Sequence, residues 1–180
     1  LSDYLNRENK KKLRIAIAYD SRLRSQEFAL EIAKVFSSNN IDVFIFSELR
    51  PTPILSFSVR NLCCDAGIVI TASHNPKEYN GFKVYLSDGG QLIPPHDKEI
   101  IQRIQNTHIY DIKWSGGTGL IKELNDEIDI KYLFILGSVI VTGPPFLICS
   151  WKVGITLPEL PITLPNRTAM YFTFVSTLLA

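Results

Sequence analysis

The apolar positions of the first 105 residues fall in short blocks whose spacing alternates between two periods. Leu13–Tyr19 (LRIAIAY), Ile41–Phe46 (IDVFIF) and Ala66–Ile70 (AGIVI) are compact apolar runs with β-branched and aromatic content, the pattern of buried strands. Between the first two, Phe28, Ile32, Val35 and Phe36 recur at helical spacing, which predicts a helix over 25–39 with Ser25 as its cap and Glu27 in its first turn. Between the second and third, Thr52-Pro53 opens a helix whose apolar face is Leu55, Val59 and Leu62. Strand, helix, strand, helix, strand at these intervals predicts parallel strands joined by right-handed crossovers.

After the third strand, 71–80 is a polar loop and 81–86 a fourth strand, with Asp88-Gly89 as a hairpin signal. Pro94-Pro95 precedes a helix whose apolar side is Ile100, Ile101 and Ile104. Residues 106–119 read as a linker, 121–133 as a further short helix, and 132–141 (YLFILGSVIV) as a buried strand. The expected fold class is α/β: a three-layer domain with a mixed, mostly parallel sheet flanked by helices, followed by an aberrant C-terminal segment.

Composition adds a break that the local pattern hides. Of the 180 residues, 132–180 carry three charged side chains, Lys152, Glu159 and Arg167, and five of the ten prolines. The expected division is therefore a domain over 1–113, a linker and possible start of a second domain over 114–131, and an apolar, proline-containing tail over 132–180. The apolar run at 132–141 is interrupted by Gly143-Pro144-Pro145, short of the roughly 20 residues that span a bilayer.

A formal net charge of +1 gives none of the basic excess that a phosphate backbone demands, so nucleic acid is not an expected partner. Cys63 and Cys64 are sequence neighbours, and Cys149 is not spaced with histidines as zinc ligands are, which fits a reduced, cytoplasmic setting. Nothing in the pattern sets an oligomeric state.

In a layer of this kind ligands gather beyond the carboxyl ends of the parallel strands. That edge receives Asp20, Arg22 and Arg24 from the first strand, Arg50 from the second, and Ser73, His74 and Asn75 from the third, with Lys77 and Lys83 following. The result is a hydroxyl among cations. Acyl transfer is disfavoured, because no Gly-x-Ser-x-Gly elbow is present and His74, adjacent to Ser73 in an extended loop, is poorly placed as its base. Phosphoryl transfer needs cations and exact placement, which these residues supply. From the residues alone, an ordinary solvated rim of Arg22, Arg24 and Lys77 around a turn at 73–76 is the favoured reading.

The run Thr71-Ala72-Ser73-His74-Asn75-Pro76, continuing through Tyr79-Asn80-Gly81-Phe82-Lys83, resembles the active-site serine loop of the α-D-phosphohexomutases, the phosphoglucomutases and phosphomannomutases. Ala18-Tyr19-Asp20-Ser21-Arg22, Arg50-Pro51-Thr52-Pro53 and Gly89-Gly90-Gln91 with Pro94-Pro95-His96-Asp97-Lys98 are similar to the branch acting mainly on glucose phosphates. The resemblance covers about residues 1–113. It implies an intramolecular phosphotransferase that interconverts hexose 1-phosphate and hexose 6-phosphate through a phosphoserine, with hexose 1,6-bisphosphate as intermediate and activator.

On matching positions, the resemblance implies that Ser73 carries the phosphoryl group and that its phosphate is one ligand of Mg²⁺. His74 and Lys83 lie beside the reacting oxygens, Lys83 being the candidate for proton transfer, while Asp20, Arg22 and Asn75 support the phosphoserine. Asn80 and Gly81 read as loop geometry. The family's Gly-Thr-x-Gly-x-Arg-Gly strand and Asp-Gly-Asp-Gly-Asp metal loop are not found in these 180 residues. The expectation is a fragment inactive alone; the alternative is a non-catalytic phosphosugar-binding or protein-interaction module.

Overall fold

The computed structural model describes residues 1–7 and 12–142, with side chains through 137. Two units divide the chain, Leu1–Leu133 and Phe134–Ala180. The proline-containing part of the expected tail, beyond 142, lies outside the described residues.

The first unit begins with α1 (Ser2–Asn6) and β1 (Leu13–Tyr19), then α2 (Ser25–Ser38), β2 (Ile41–Phe46), α3 (Thr52–Asn61), β3 (Ala66–Ile70) and β4 (Phe82–Leu86). It continues with α4 (His96–Gln105), a 3₁₀ turn at Ile109–Asp111, β5 (Ile121–Leu124) and the start of α5 (Glu127–Thr142). The strands form one sheet in the order β4-β3-β1-β2-β5. β1 pairs in parallel with β2 and β3, β2 in parallel with β5, and β4 runs antiparallel to β3. The mixed, mostly parallel α/β sheet is as the spacing predicts.

Period-two alternation along β1 sorts the core into two layers. Ile15, Ile17 and Tyr19 pack with Ala29, Ala33 and Phe36 of α2 and Ile100 of α4, while Ala16 and Ala18 face Leu55 and Val59 of α3 and Ile128 of α5. Ile15, Ile17 and Ile68 are fully buried, and each such side chain contributes roughly 1.5–3 kcal/mol. The small residues on the α3 face let that helix approach closely: a Cβ on Gly67 would sit 2.5 Å from Val59 Cγ2.

Four expectations are corrected. Residues 121–124 form an edge strand, not a helix, because their backbone continues the sheet beside β2; Val43 N also donates to Leu120 O at 2.7 Å. Residues 132–141 lie within α5, not a strand: Glu127 and Asp129 stand in its first turn, where acidic groups favour a helix. On α4 only Ile100 is buried, and Ile101 and Ile104 are exposed. His96, expected at the surface, is partly buried and lies 2.7 Å from the Tyr4 hydroxyl in a hydrogen bond.

Candidate active site

The carboxyl ends of β1, β2 and β3 lie side by side, tied by Asp20 N donating to Ile70 O at 3.2 Å and Arg50 N to Tyr19 O at 3.1 Å. From β3 the chain enters the loop 71–81, which closes on itself. Thr71 N donates to Gly81 O, Ser73 N to Thr71 Oγ1, Asn75 N to Ala72 O and Tyr79 N to Pro76 O, all within 3.2 Å. The two ends approach so tightly that a Cβ on Gly81 would stand 2.6 Å from the Thr71 carbonyl oxygen. Glycine is required there by contact, not by dihedral angle.

Ser73 has φ +57°, a left-handed conformation that a non-glycine residue adopts only when its surroundings impose it. Arg22 supplies that imposition. Its guanidinium donates from Nη2 to Ser73 O and from Nη1 to Pro76 O and Tyr79 O, at 2.6 and 3.2 Å for the latter two. Nε donates to Asp20 Oδ2 at 3.1 Å, and the Asp20 carboxylate also receives Arg22 N at 3.0 Å. The Arg22 side chain is 9% exposed, so it reaches the loop through protein rather than water.

Lys83 enters from the neighbouring strand. It stands opposite Val69 in the β3–β4 ladder, and Nζ donates to Ser73 Oγ. Hydroxyl and ammonium are thus delivered by the two ends of one loop. The structure brings Ser73, Lys83, Arg22 and Asp20 together.

Other expected residues are placed differently. His74 and Asn75 are exposed, and neither side chain is hydrogen-bonded to Ser73 or Lys83 among the described residues. Arg24 pairs with Glu27 at 2.8 Å on the surface. Arg50 turns to the acidic start of α5, with Asp129 at 2.8 Å and Asp126 at 3.3 Å, and pairs with Glu48 of its own loop at 3.4 Å. Burial works against the Arg50 charge, but the Asp129 hydrogen bond and carboxylate outweigh it and hold its pKa above the ordinary guanidinium value.

Sequence reasoning missed Ser25. It is the first residue of α2, not its cap: Arg24 holds the cap position, with φ +62°. Ser25 is 1% exposed, and its hydroxyl lies 2.9 Å from both Asp20 Oδ1 and Asn80 Oδ1. The sequence signal was present, a serine five residues after the strand's aspartate, but it is the same signal that a helix cap gives.

The donor set does not make a magnesium site by itself. No group of three or more His, Cys, Asp or Glu side chains is arranged to hold a metal among the described residues, and the charged group against Ser73 Oγ is a cation.

Residues 1–111 match the family model described as Phosphoglucomutase/phosphomannomutase, alpha/beta/alpha domain I. The chain belongs to this family. It is 38% identical over 138 residues to a phosphoglucomutase of Staphylococcus saprophyticus, a match covering 73% of this chain and 25% of the relative. It is 47% identical over 97 residues to the human phosphopentomutase, covering 51% of this chain and 16% of that protein. The chain therefore spans a quarter or less of these two relatives.

The fold of this phosphohexomutase domain is shared with a crystal structure of a Phosphoglucomutase/phosphomannomutase family protein from Burkholderia thailandensis. The TM-score is 0.57 at 23% identity over 76% of this chain and 31% of that one. Among the described residues, no helix is long and apolar enough to cross a membrane.

Proposed function

We infer that this chain supplies the phosphoryl-carrying serine of a sugar-phosphate mutase, with Ser73 as the carrier and a hexose phosphate, glucose phosphate first, as the substrate. The observation that carries the reading is the contact of Lys83 Nζ with Ser73 Oγ, in a loop whose serine is held left-handed by Arg22. A hydroxyl presented at a fixed point beside a cation is what in-line phosphoryl transfer needs, since that chemistry depends on positioning and charge compensation.

In the loading half-reaction, a phosphoryl group passes from hexose 1,6-bisphosphate to Ser73. The sugar O–P bond breaks, the Ser73 Oγ–P bond forms, and the proton leaving Oγ ends on the released sugar oxygen. Lys83, in contact with Oγ, is the group placed to relay that proton and to face the charge on the phosphate. The reverse transfer to the other sugar hydroxyl completes the interconversion of hexose 1-phosphate and hexose 6-phosphate. Mg²⁺, when bound, would serve as a counter-ion to phosphate on Ser73. No group of three or more His, Cys, Asp or Glu side chains is arranged to hold it among the described residues, and residues 1–180 alone are expected not to complete the cycle.

The test is incubation of the purified chain with glucose 1,6-bisphosphate, followed by intact mass and peptide mapping. One added phosphoryl group on Ser73, lost in Ser73→Ala, is expected. Ligand binding with no phosphorylation would instead favour a non-catalytic phosphosugar-binding module.

A further inference from the structure

We propose that Ser25 is a positioning residue for phosphoryl transfer: its buried hydroxyl joins the β1–α2 turn to the serine loop and fixes where Ser73 Oγ stands relative to Lys83. This rests on Ser73 being the carrier.

The two segments are stitched at several points. Leu23 N donates to Lys77 O at 3.2 Å, Asn80 Nδ2 to Leu23 O at 2.8 Å, and the Arg22 guanidinium to three carbonyls of the loop. Ser25 stands where these threads meet. Its Oγ lies 2.9 Å from both Asp20 Oδ1 and Asn80 Oδ1, with the side chain nearly sealed from water.

Each acceptor controls something the site needs. Asp20 fixes Arg22 through Nε, and Arg22 in turn holds the Ser73 carbonyl. Asn80 directly precedes Gly81, whose close approach to Thr71 sets the entry to β4, and β4 carries Lys83. One hydroxyl therefore bears on both the nucleophile's backbone and the strand that brings its cation. Removing it takes the shared donor from two partly buried acceptors, Asp20 and Asn80, at a point where Ser25 itself is 1% exposed. Among the described residues Ser25 is hydrogen-bonded to neither Ser73 nor Lys83, so its role is placement.

The experiment uses the full chain as wild type, Ser25→Ala and Ser25→Thr, with glucose 1,6-bisphosphate as phosphoryl donor and intact mass as readout. Ser25→Ala is expected to lower the maximal rate of Ser73 phosphorylation roughly 10- to 100-fold, the scale of a small misplacement, at an unchanged half-saturating donor concentration. Ser25→Thr, which keeps the hydroxyl, is expected to recover most of the rate. A wild-type rate in Ser25→Ala overturns the proposal, as does a loss that vanishes at temperatures where all variants are fully folded.

If wild type itself accepts no phosphoryl group, the Ser73 reading fails separately, and backbone hydrogen exchange over 73–81 decides the positioning claim. Faster exchange there in Ser25→Ala, with β1–β3 unchanged, supports it. Unchanged exchange in the loop overturns it.

Discussion

Arg22 grips Ser73 by its main chain and not by its hydroxyl: Nη2 donates to the Ser73 carbonyl oxygen, which leaves Oγ free to meet Lys83. The division of labour separates holding from chemistry. One cation sets the backbone of the nucleophile, and the other faces the atom that reacts.

Arg22→Lys keeps the charge but loses the planar fork that reaches Pro76, Tyr79 and Ser73 together. Urea unfolding is expected to show a loss of about 1.5–3 kcal/mol, the scale of hydrogen bonds made by a charged group. Ser73 phosphorylation should fall further than stability alone explains. Equal stability and equal labelling would remove Arg22 as the brace.

Lys83→Met preserves the strand-forming stem at a position paired with Val69 and removes the ammonium beside Oγ. The expected result is at least a roughly 100-fold slower phosphoryl transfer, typical of losing a positioned proton-transfer group, with an unfolding midpoint close to wild type. Time-resolved intact mass measures the first, and thermal unfolding the second.

Gly81→Ala places a methyl group 2.6 Å from a main-chain oxygen that cannot swing away. The loop must open, at a cost of about 1–3 kcal/mol by the usual scale of overpacking. Because the shift falls between Thr71 and Lys83, phosphorylation of Ser73 should drop as well. Retention of both properties would show that the loop entry has slack.

Arg50 and Asp129 form an ion pair with side chains 11% and 19% exposed, joining the loop after β2 to the first turn of α5. Asp129→Asn leaves a largely buried guanidinium with weaker compensation, for an expected loss of about 3 kcal/mol. The serine loop lies outside this pair, so hydrogen exchange over 71–81 should not change.

Burial pushes the Cys64 thiol up to about 12, whereas Cys63 is exposed. In a Cys149→Ser background at pH 8, a thiol reagent should modify one cysteine, Cys63, in the folded state and both after unfolding. The folded value is raised, so the unfolded chain releases the proton first as pH rises. Stability from Cys64 is fully present below the ordinary thiol range and declines from there towards about pH 12. Rapid modification of Cys64 under native conditions would contradict its packing.

The strands β1 to β4, the helices between them and the nucleophile's loop were legible because each is encoded locally. Ile15 and Ile17 alternate with Ala16 and Ala18, and the apolar positions of α2 and α3 recur at helical spacing. Residues 121–124 were not legible. Their strand exists only because β2 offers an unpaired edge, a partner 78 residues away in register between Val43 and Ile121.

The site divides in the same way. Sequence by itself determined which chemistry is offered, a hydroxyl at Ser73 with cations nearby, and the motif that ties it to the phosphohexomutases. Tertiary structure decided which cation does what. Arg22 turns to carbonyls, Lys83 to the hydroxyl, and Arg50 to Asp129, although all three lie near one strand edge in the sequence reading. The order of residues fixes charge and side-chain length, but a hydrogen bond depends on direction, and direction is set only once strands β1, β3 and β4 are paired and their loops are held against one another.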